Sequence, residues 1–306
     1  MFKMLFVLVA LAVSVSGCTG LQASWSNSTE SFVDFKTDSL AKNRPVFDLF
    51  LFNTELDLLE LRLTELDQVV DFFVLFEQPI TSSGYSKQLH YQLHKDTRFA
   101  KWASKIITVN GSVPLSVTDS WEREHASRVM LLDVVKAMGH TEALILFSDV
   151  DEIPSAHAIS VLKNSAAMPS NAFVHNVMPL FYYSYRWNCN KEFSNMKIFT
   201  LSYLDMYPNP LEQLFFESKL PHLILKKAGW HCSYCMSPEE IQLKLISFAH
   251  KEFSKKPYTY LKYIKYQISK GRDLFRRSGR FMFNQNPEDI PPSVVAHPDK
   301  FAMFFP

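Results

Sequence analysis

The chain has 306 residues, 47% of them hydrophobic and 14% aromatic, with 26 Phe against 8 Gly and a formal net charge of +1. That composition excludes a disordered or fibrous chain and is ample for one large core or two small ones. The near-zero charge excludes a global field for nucleic acid. Residues 251–280 nonetheless gather ten Lys and Arg against two acids, either a solvated face or a local attractor for an anion or lipid headgroups.

Residues 1–17 read as a signal peptide or short signal-anchor: Lys3, an apolar segment from Met4 to Val15, then small residues. The apolar segment is shorter than the roughly 20 residues of a spanning helix. It directs the chain into a secretory route and allows membrane association through the N-terminus. Val15-Ser-Gly-Cys18 also has the form of a bacterial lipid-attachment site, whereas the sequons at Asn27 and Asn110 fit a eukaryotic route. Residues 18–44, polar and rich in Ser and Thr, read as a stem or linker, and residues 45–306 as one folded domain.

Within that domain Val46 to Phe52 is a strand-like run, Glu55 to Leu66 an amphipathic helix, and Val69 to Glu77 a second strand ending in a carboxylate. A polar loop, Thr81 to Lys87, and a strand, Lys105 to Val109, follow. Asp119 to Met138 reads as a helix with an Asp-x-x-Glu start and an apolar stripe of Leu131, Val134, Val135 and Met138. Stepping back along the stripe reaches Arg128 and Glu124, either a structural ion pair or an Arg aimed at a diphosphate.

Ala143 to Phe147 is a short buried strand that runs into Asp149-Val-Asp151-Glu152. Crowded acids there face solvent, cap a helix or share a cation. Hard divalent ions take oxygen ligands, often one or two carboxylates plus substrate phosphates. Strand–helix alternation predicts an open α/β sheet, whose ligands bind outside the carboxyl ends of the strands, where Glu77 and Asp149–Glu152 would both project.

Beyond Pro154, a short helical stretch precedes two aromatic strand-like runs, Phe173 to Trp187 and Met196 to Tyr203, which are core or an acceptor platform. Ala228-Gly-Trp230-His231-Cys232-Ser-Tyr-Cys235 leads into an amphipathic helix from Pro238 to Phe253. Cys232 and Cys235 have metal-finger spacing but no second pair, which favours a structural disulfide. The basic stretch closes in Gly271-Arg-Asp273-Leu-Phe275 before a Pro-rich tail. Neither a Walker-type nor a dinucleotide-binding glycine loop is present.

Five ordered segments together resemble glycosyltransferase family 17. They are Phe47 to Arg62; Phe73 to Glu77 with Thr81, Gly84 and Lys87; Trp121 to Glu124 with Arg128; Phe147 to Pro154; and Ala228 to Cys235 with Pro238-Glu239. The resemblance covers most of residues 45–305. It implies a GT-A-like α/β fold, a single catalytic domain with an open mixed sheet flanked by helices. It also implies inverting, metal-dependent transfer of a sugar, GlcNAc from UDP-GlcNAc, to a mannose-containing N-glycan in the Golgi membrane or lumen.

On that basis Asp149, Asp151 and His231 are expected to hold Mn²⁺ or Mg²⁺. Glu77, Lys87, Trp121, Glu124, Arg128 and Asp149 are expected to bind the donor, and Trp230 the acceptor. Glu239, or else Glu152, is expected to act as the base. Three other readings stay open: a transferase with another donor or acceptor, a metal-dependent phosphohydrolase, or a non-catalytic glycan binder.

Overall fold

The structure, a computed structural model, describes residues 20–25, 32–36, 44–109, 111–206, 222–277 and 280–305. The expected signal segment and both sequons, Asn27 and Asn110, lie outside the described residues. The stretch expected to be a linker supplies two strands, β1 (Gly20–Trp25) and β2 (Phe32–Lys36), paired with each other in antiparallel fashion. The reason is a short alternation: Leu21, Ala23 and Phe35 are buried while Gln22 and Asp34 are exposed.

Next come β3 (Val46–Leu51), α1 (Leu56–Leu66), β4 (Phe72–Phe76), α2 (His90–His94), β5 (Ile106–Val109), α3 (Ser120–Ala137) and β6 (Leu144–Phe147). The four strands are parallel, in the order β5-β4-β3-β6. The chain winds outward from β3 and then returns to its other side, so β3 and β6 flank a topological switch point, where ligands of open α/β sheets bind. Both faces are covered, which is why these strands read as continuous apolar runs. Leu59, Leu63 and Leu66 of α1 pack on one face; Leu131, Leu132 and Val135 of α3 pack on the other. Asp119 caps α3 through the amides of Trp121 and Glu122.

The second half adds β7 (Glu152–Pro154), α4 (Ala156–Lys163), β8 (Phe173–Tyr182), β9 (Ser184–Phe193), β10 (Lys197–Thr200), β11 (His222–Lys226) and β12 (Gly229–Ser233). It finishes with α5 (Pro238–Ser247), α6 (Leu261–Ser269), β13 (Met282–Phe283) and α7 (Pro292–Ala296). Strand β8 belongs to two layers. Phe173 to Val177 pair with β10 and β11 and continue the main sheet, which β1 and β2 extend beyond β11. Met178 to Tyr182 pair with β9 and β12, and β12 also pairs with β7. A second core lies under this layer, built from Phe181, Tyr185, Ile241, Ile264, Leu274 and Phe304 among others. The fold is thus α/β with an open mixed sheet flanked by helices, as expected of a GT-A-like chain.

One glycine fixes how the layers meet. A Cβ on Gly229 would stand 2.5 Å from the Ile153 carbonyl oxygen and 2.7 Å from the Pro154 Cα, both backbone atoms that have nowhere to move. Gly229→Ala is therefore expected to destabilise the fold by about 1–3 kcal/mol, read as a lower midpoint in chemical unfolding. An unchanged midpoint would mean that the two backbones are not in contact.

Candidate active site

A cleft of about 660 Å³ opens at the switch point. Its floor comes from the carboxyl ends of β3 and β6, which supply Leu51, Asn53, Asp149 and Asp151; Arg128 and Trp121 of α3 and Lys244 of α5 line it too. Its walls also carry Tyr182, Glu192, His231, Tyr234, Asp273 and Arg277.

The loop after β6 is tied down from beneath by Arg62, which sequence reasoning did not single out. Arg62 is wholly buried; its Nε and Nη2 donate to the two oxygens of Asp48 at 2.7 and 2.6 Å. Nη1 donates to the carbonyls of Asp149 and Glu152, each at 2.8 Å, and Nη2 also donates to Ser148 Oγ at 2.7 Å. A guanidinium fork is thus filled by the strand before it and by the acidic loop above it.

Above that anchor sit two cation–carboxylate pairs. Arg128 Nη2 lies 2.5 Å from Asp149 Oδ1 and 3.0 Å from Glu124 Oε1. The ion pair with Glu124 is therefore present, and the same side chain also holds Asp149 of the acidic loop. Lys244 Nζ lies 3.0 Å from Asp151 Oδ2 and 3.3 Å from Glu55 Oε1. Burial pushes the Asp151 carboxyl up, but Lys244, through its charge and its hydrogen bond, outweighs it and holds the group below the usual range. Burial lowers the Lys244 ammonium, and Asp151 and Glu55 more than reverse that.

Four carboxylates, Glu55, Glu124, Asp149 and Asp151, thus face two cations, Arg128 and Lys244, and the centre is formally two charges negative. His231 does not offset this: burial pushes its imidazole down, and it faces the cleft as a neutral ring. Its Nε2 is hydrogen-bonded to Ser233 Oγ at 2.8 Å and lies 3.9 Å from Asp151 Oδ1. Among the described residues no three His, Cys, Asp or Glu side chains form a ready-made metal cage. The donors present are carboxylate oxygens at a net charge of minus two, which suits a hard divalent cation completed by substrate phosphates.

The remaining expected residues are distributed unevenly. Trp121 and Glu124 line the cleft. Lys87 lines it as well, but its ammonium is saturated by Glu77, the Asn53 carbonyl and the Gln88 carbonyl at 2.9, 2.9 and 3.1 Å. Lys87 therefore pins the loop after β3 rather than offering a free charge to a donor. Glu77 is buried beneath it, also accepting from the Tyr91 amide, and does not reach the cleft.

Trp230 does not line the cleft either. Alternation along β12 puts His231 and Ser233 on the cleft side and packs Trp230 against the second core.

Neither expected base is placed to meet a substrate. Glu239 is exposed on the first turn of α5 and paired with Lys265 at 2.8 Å, outside the cleft lining. Glu152 is wholly buried on β7, accepting from the Asp149 amide at 3.2 Å, with Oε1 unpartnered. Burial, then the charges of Asp149 and Asp151, raise its carboxyl well above the usual range. It braces the acidic loop. Cys232 and Cys235 are disulfide-bonded at the end of β12, and Cys189 is free.

The sequence profile of glycosyltransferase family 17 matches residues 27–285. The chain belongs to that family. It is 26% identical over 241 residues to the β-1,4-mannosyl-glycoprotein 4-β-N-acetylglucosaminyltransferases of Rattus norvegicus and Homo sapiens. Each alignment covers 69% of this chain and 44% of the relative. The chain thus spans less than half the length of the curated relatives it matches. Seen as a family 17 site, Glu55, the Glu124–Arg128 pair, the acidic loop after β6 and Lys244 form one charge centre built from four separate stretches of sequence.

Proposed function

We propose that this chain is an inverting glycosyltransferase that moves N-acetylglucosamine from UDP-GlcNAc to a mannose-bearing N-glycan. The observation that carries the reading is the charge centre at the switch point: carboxylates and cations interleaved in one cleft, beside a wall of aromatic and polar groups. The names of the family 17 relatives supply the sugar and the acceptor. The Cys232–Cys235 disulfide supports passage through an oxidising secretory compartment such as the Golgi.

In this reading Arg128 and Lys244 meet the donor diphosphate and stabilise the charge that grows on it as the nucleotide leaves, inside a site where such interactions are stronger than in water. Asp149 and Asp151 would hold Mn²⁺ or Mg²⁺, which neutralises the diphosphate when bound. Arg62 and Glu152 keep the acidic loop rigid, so no reorganisation is needed when charge develops. Trp121, half-exposed at the mouth with its ring edge-on to His250 at 4.6 Å, offers a surface for the uridine end.

The test is nucleotide release from a panel of UDP- and GDP-sugars with Mn²⁺, with and without N-glycan acceptors. Acceptor-dependent UDP release from UDP-GlcNAc is the expected result. Phosphate release from simple esters without acceptor would replace this reading with a phosphohydrolase, and binding without release would replace it with a lectin-like role.

A further inference from the structure

The proposed reaction needs a group to take the proton of the acceptor hydroxyl, and neither Glu239 nor Glu152 can reach one. The cleft is lined by six carboxylates among the described residues. Glu55, Glu124, Asp149 and Asp151 belong to the charge centre. Glu192 is half-exposed on the β9 rim, 3.5 Å from Lys226. Asp273 is left, the acid of the Gly271-Arg-Asp-Leu-Phe275 segment; it is 3% exposed and lines the cleft beside Tyr182, Phe275 and Arg277.

Its position is over-determined. Gly271 has φ of +53°, and a Cβ there would enter the Trp187 ring at 2.5 Å, so only glycine allows the turn. The Phe281 amide donates to the Gly271 carbonyl at 2.7 Å, Tyr183 Oη to the Arg272 carbonyl at 2.8 Å, and Tyr263 Oη to the Leu274 carbonyl at 2.8 Å. Asp273 Oδ2 accepts from the Arg277 amide at 2.6 Å and from its Nε at 3.1 Å. Oδ1 accepts from Arg277 Nη2 at 3.1 Å, and the Phe275 amide also faces the carboxylate. The same Nη2 donates to Tyr182 Oη at 2.7 Å.

Tyr234 links this wall to the charge centre. Its ring lies 5.4 Å from that of Tyr182, 5.8 Å from Phe275 and 5.7 Å from Lys244 Nζ. Tyr234 also holds a left-handed φ of 56°, an uncommon backbone for a residue with a bulky side chain and one that clusters at functional sites. Tyr234 is therefore in contact with the wall on one side and close to the charge centre on the other.

We propose that Asp273 is the catalytic base and that the surrounding wall of Tyr182, Tyr234, Phe275 and Arg277 is the acceptor subsite, taking a neutral pyranoside. This rests on the transferase reading above. The acceptor O–H bond breaks and its proton passes to Asp273 Oδ1. The freed oxygen pair forms the bond to the anomeric carbon of the donor sugar. The anomeric carbon–phosphate oxygen bond breaks, and its pair leaves on the nucleoside diphosphate. Arg277 positions the carboxylate and keeps it ionised.

The experiment compares wild type, Asp273→Asn and Arg277→Met in acceptor-dependent transfer, UDP affinity by calorimetry, and the pH profile of kcat/KM. Asp273→Asn is expected to lose about 10²–10⁴-fold in transfer while UDP affinity stays within twofold. Burial pushes the Asp273 carboxyl up, and Arg277 outweighs it and holds the group low. The other titratable groups facing it are Tyr182, Tyr183, Tyr234 and Cys189, all neutral near pH 7 and raised by burial.

Arg277→Met is therefore expected to move the acid limb of the profile to higher pH, which a purely structural role would not do. Transfer by Asp273→Asn within threefold of wild type overturns the assignment, as does an unmoved acid limb in Arg277→Met. If Asp273→Asn does not fold, the Arg277→Met profile decides alone. A wild-type protein that turns over no nucleotide sugar overturns instead the reading on which the assignment rests.

Discussion

Asp151→Asn is expected to reduce sugar transfer by at least about 10²-fold while the protein stays folded. The catalytic loss follows from the charge centre. Removing one carboxylate takes the site from two formal negative charges to one, and replaces one of its oxygen donors with an amide nitrogen. The small structural cost follows from the same geometry. Lys244 keeps Glu55 at 3.3 Å, so the substitution does not strand a buried ammonium, and the loss in stability is expected to be about 1–2 kcal/mol.

That contribution is also pH-dependent. The Asp151 carboxyl is lower in the folded chain than in the unfolded one, so its stabilisation is present above the unfolded value. It is lost as pH falls through the folded value. Transfer assays at pH 7, run beside chemical unfolding at pH 7 and near pH 3, check both halves. A variant with wild-type turnover would remove Asp151 from the mechanism.

The second large effect is structural. Arg62→Met is expected to cost about 3–5 kcal/mol, because Asp48 is left as an uncompensated charge in the middle of the sheet. It also releases the carbonyls of Asp149 and Glu152, so activity should fall in the fraction that remains folded. The double variant Asp48→Asn/Arg62→Met separates the two consequences. It should recover much of the stability, since the stranded charge is gone, and recover little transfer, since the loop carbonyls are still unheld. Urea midpoints and initial rates on the three variants are the measurement. If the double variant regained full activity, the loop would not depend on this anchor.

The parallel half of the fold was legible because its signals are local. Apolar runs bounded by polar turns gave the strands, and the Asp119 cap gave the start of α3. The acidic loop and Arg128 were legible for the same reason, one at a strand end and the other on a helical stripe. Arg62 and Lys244 were harder, since each is a lone cation on an otherwise apolar helix face whose partner lies far away in sequence. A signal did exist for Arg62: Asp48 interrupts Phe47-Asp-Leu49 just as Arg62 interrupts a run of leucines, and two opposite charges in two apolar stretches predict each other.

Glu239 misled because it sits beside the most specific segment of the chain. Position within a motif says nothing about which way a helix turns its first residue. Trp230 failed on alternation, which His231 already implied. Asp273 was invisible as chemistry because ten surrounding cations make its stretch read as surface.

The sharing of β8 between both layers has a mechanical consequence. At about 3.3 Å per residue, the steps from His175 to Tyr182 form an inextensible link of roughly 23 Å. One end pairs with the strand that leads back to β6, and the other carries the wall that holds Asp273. The two layers that meet at the cleft are thus joined through one continuous strand as well as through side-chain packing. The β9–β13 rim, paired only with the far end of that strand, can then vary without disturbing the parallel half of the sheet.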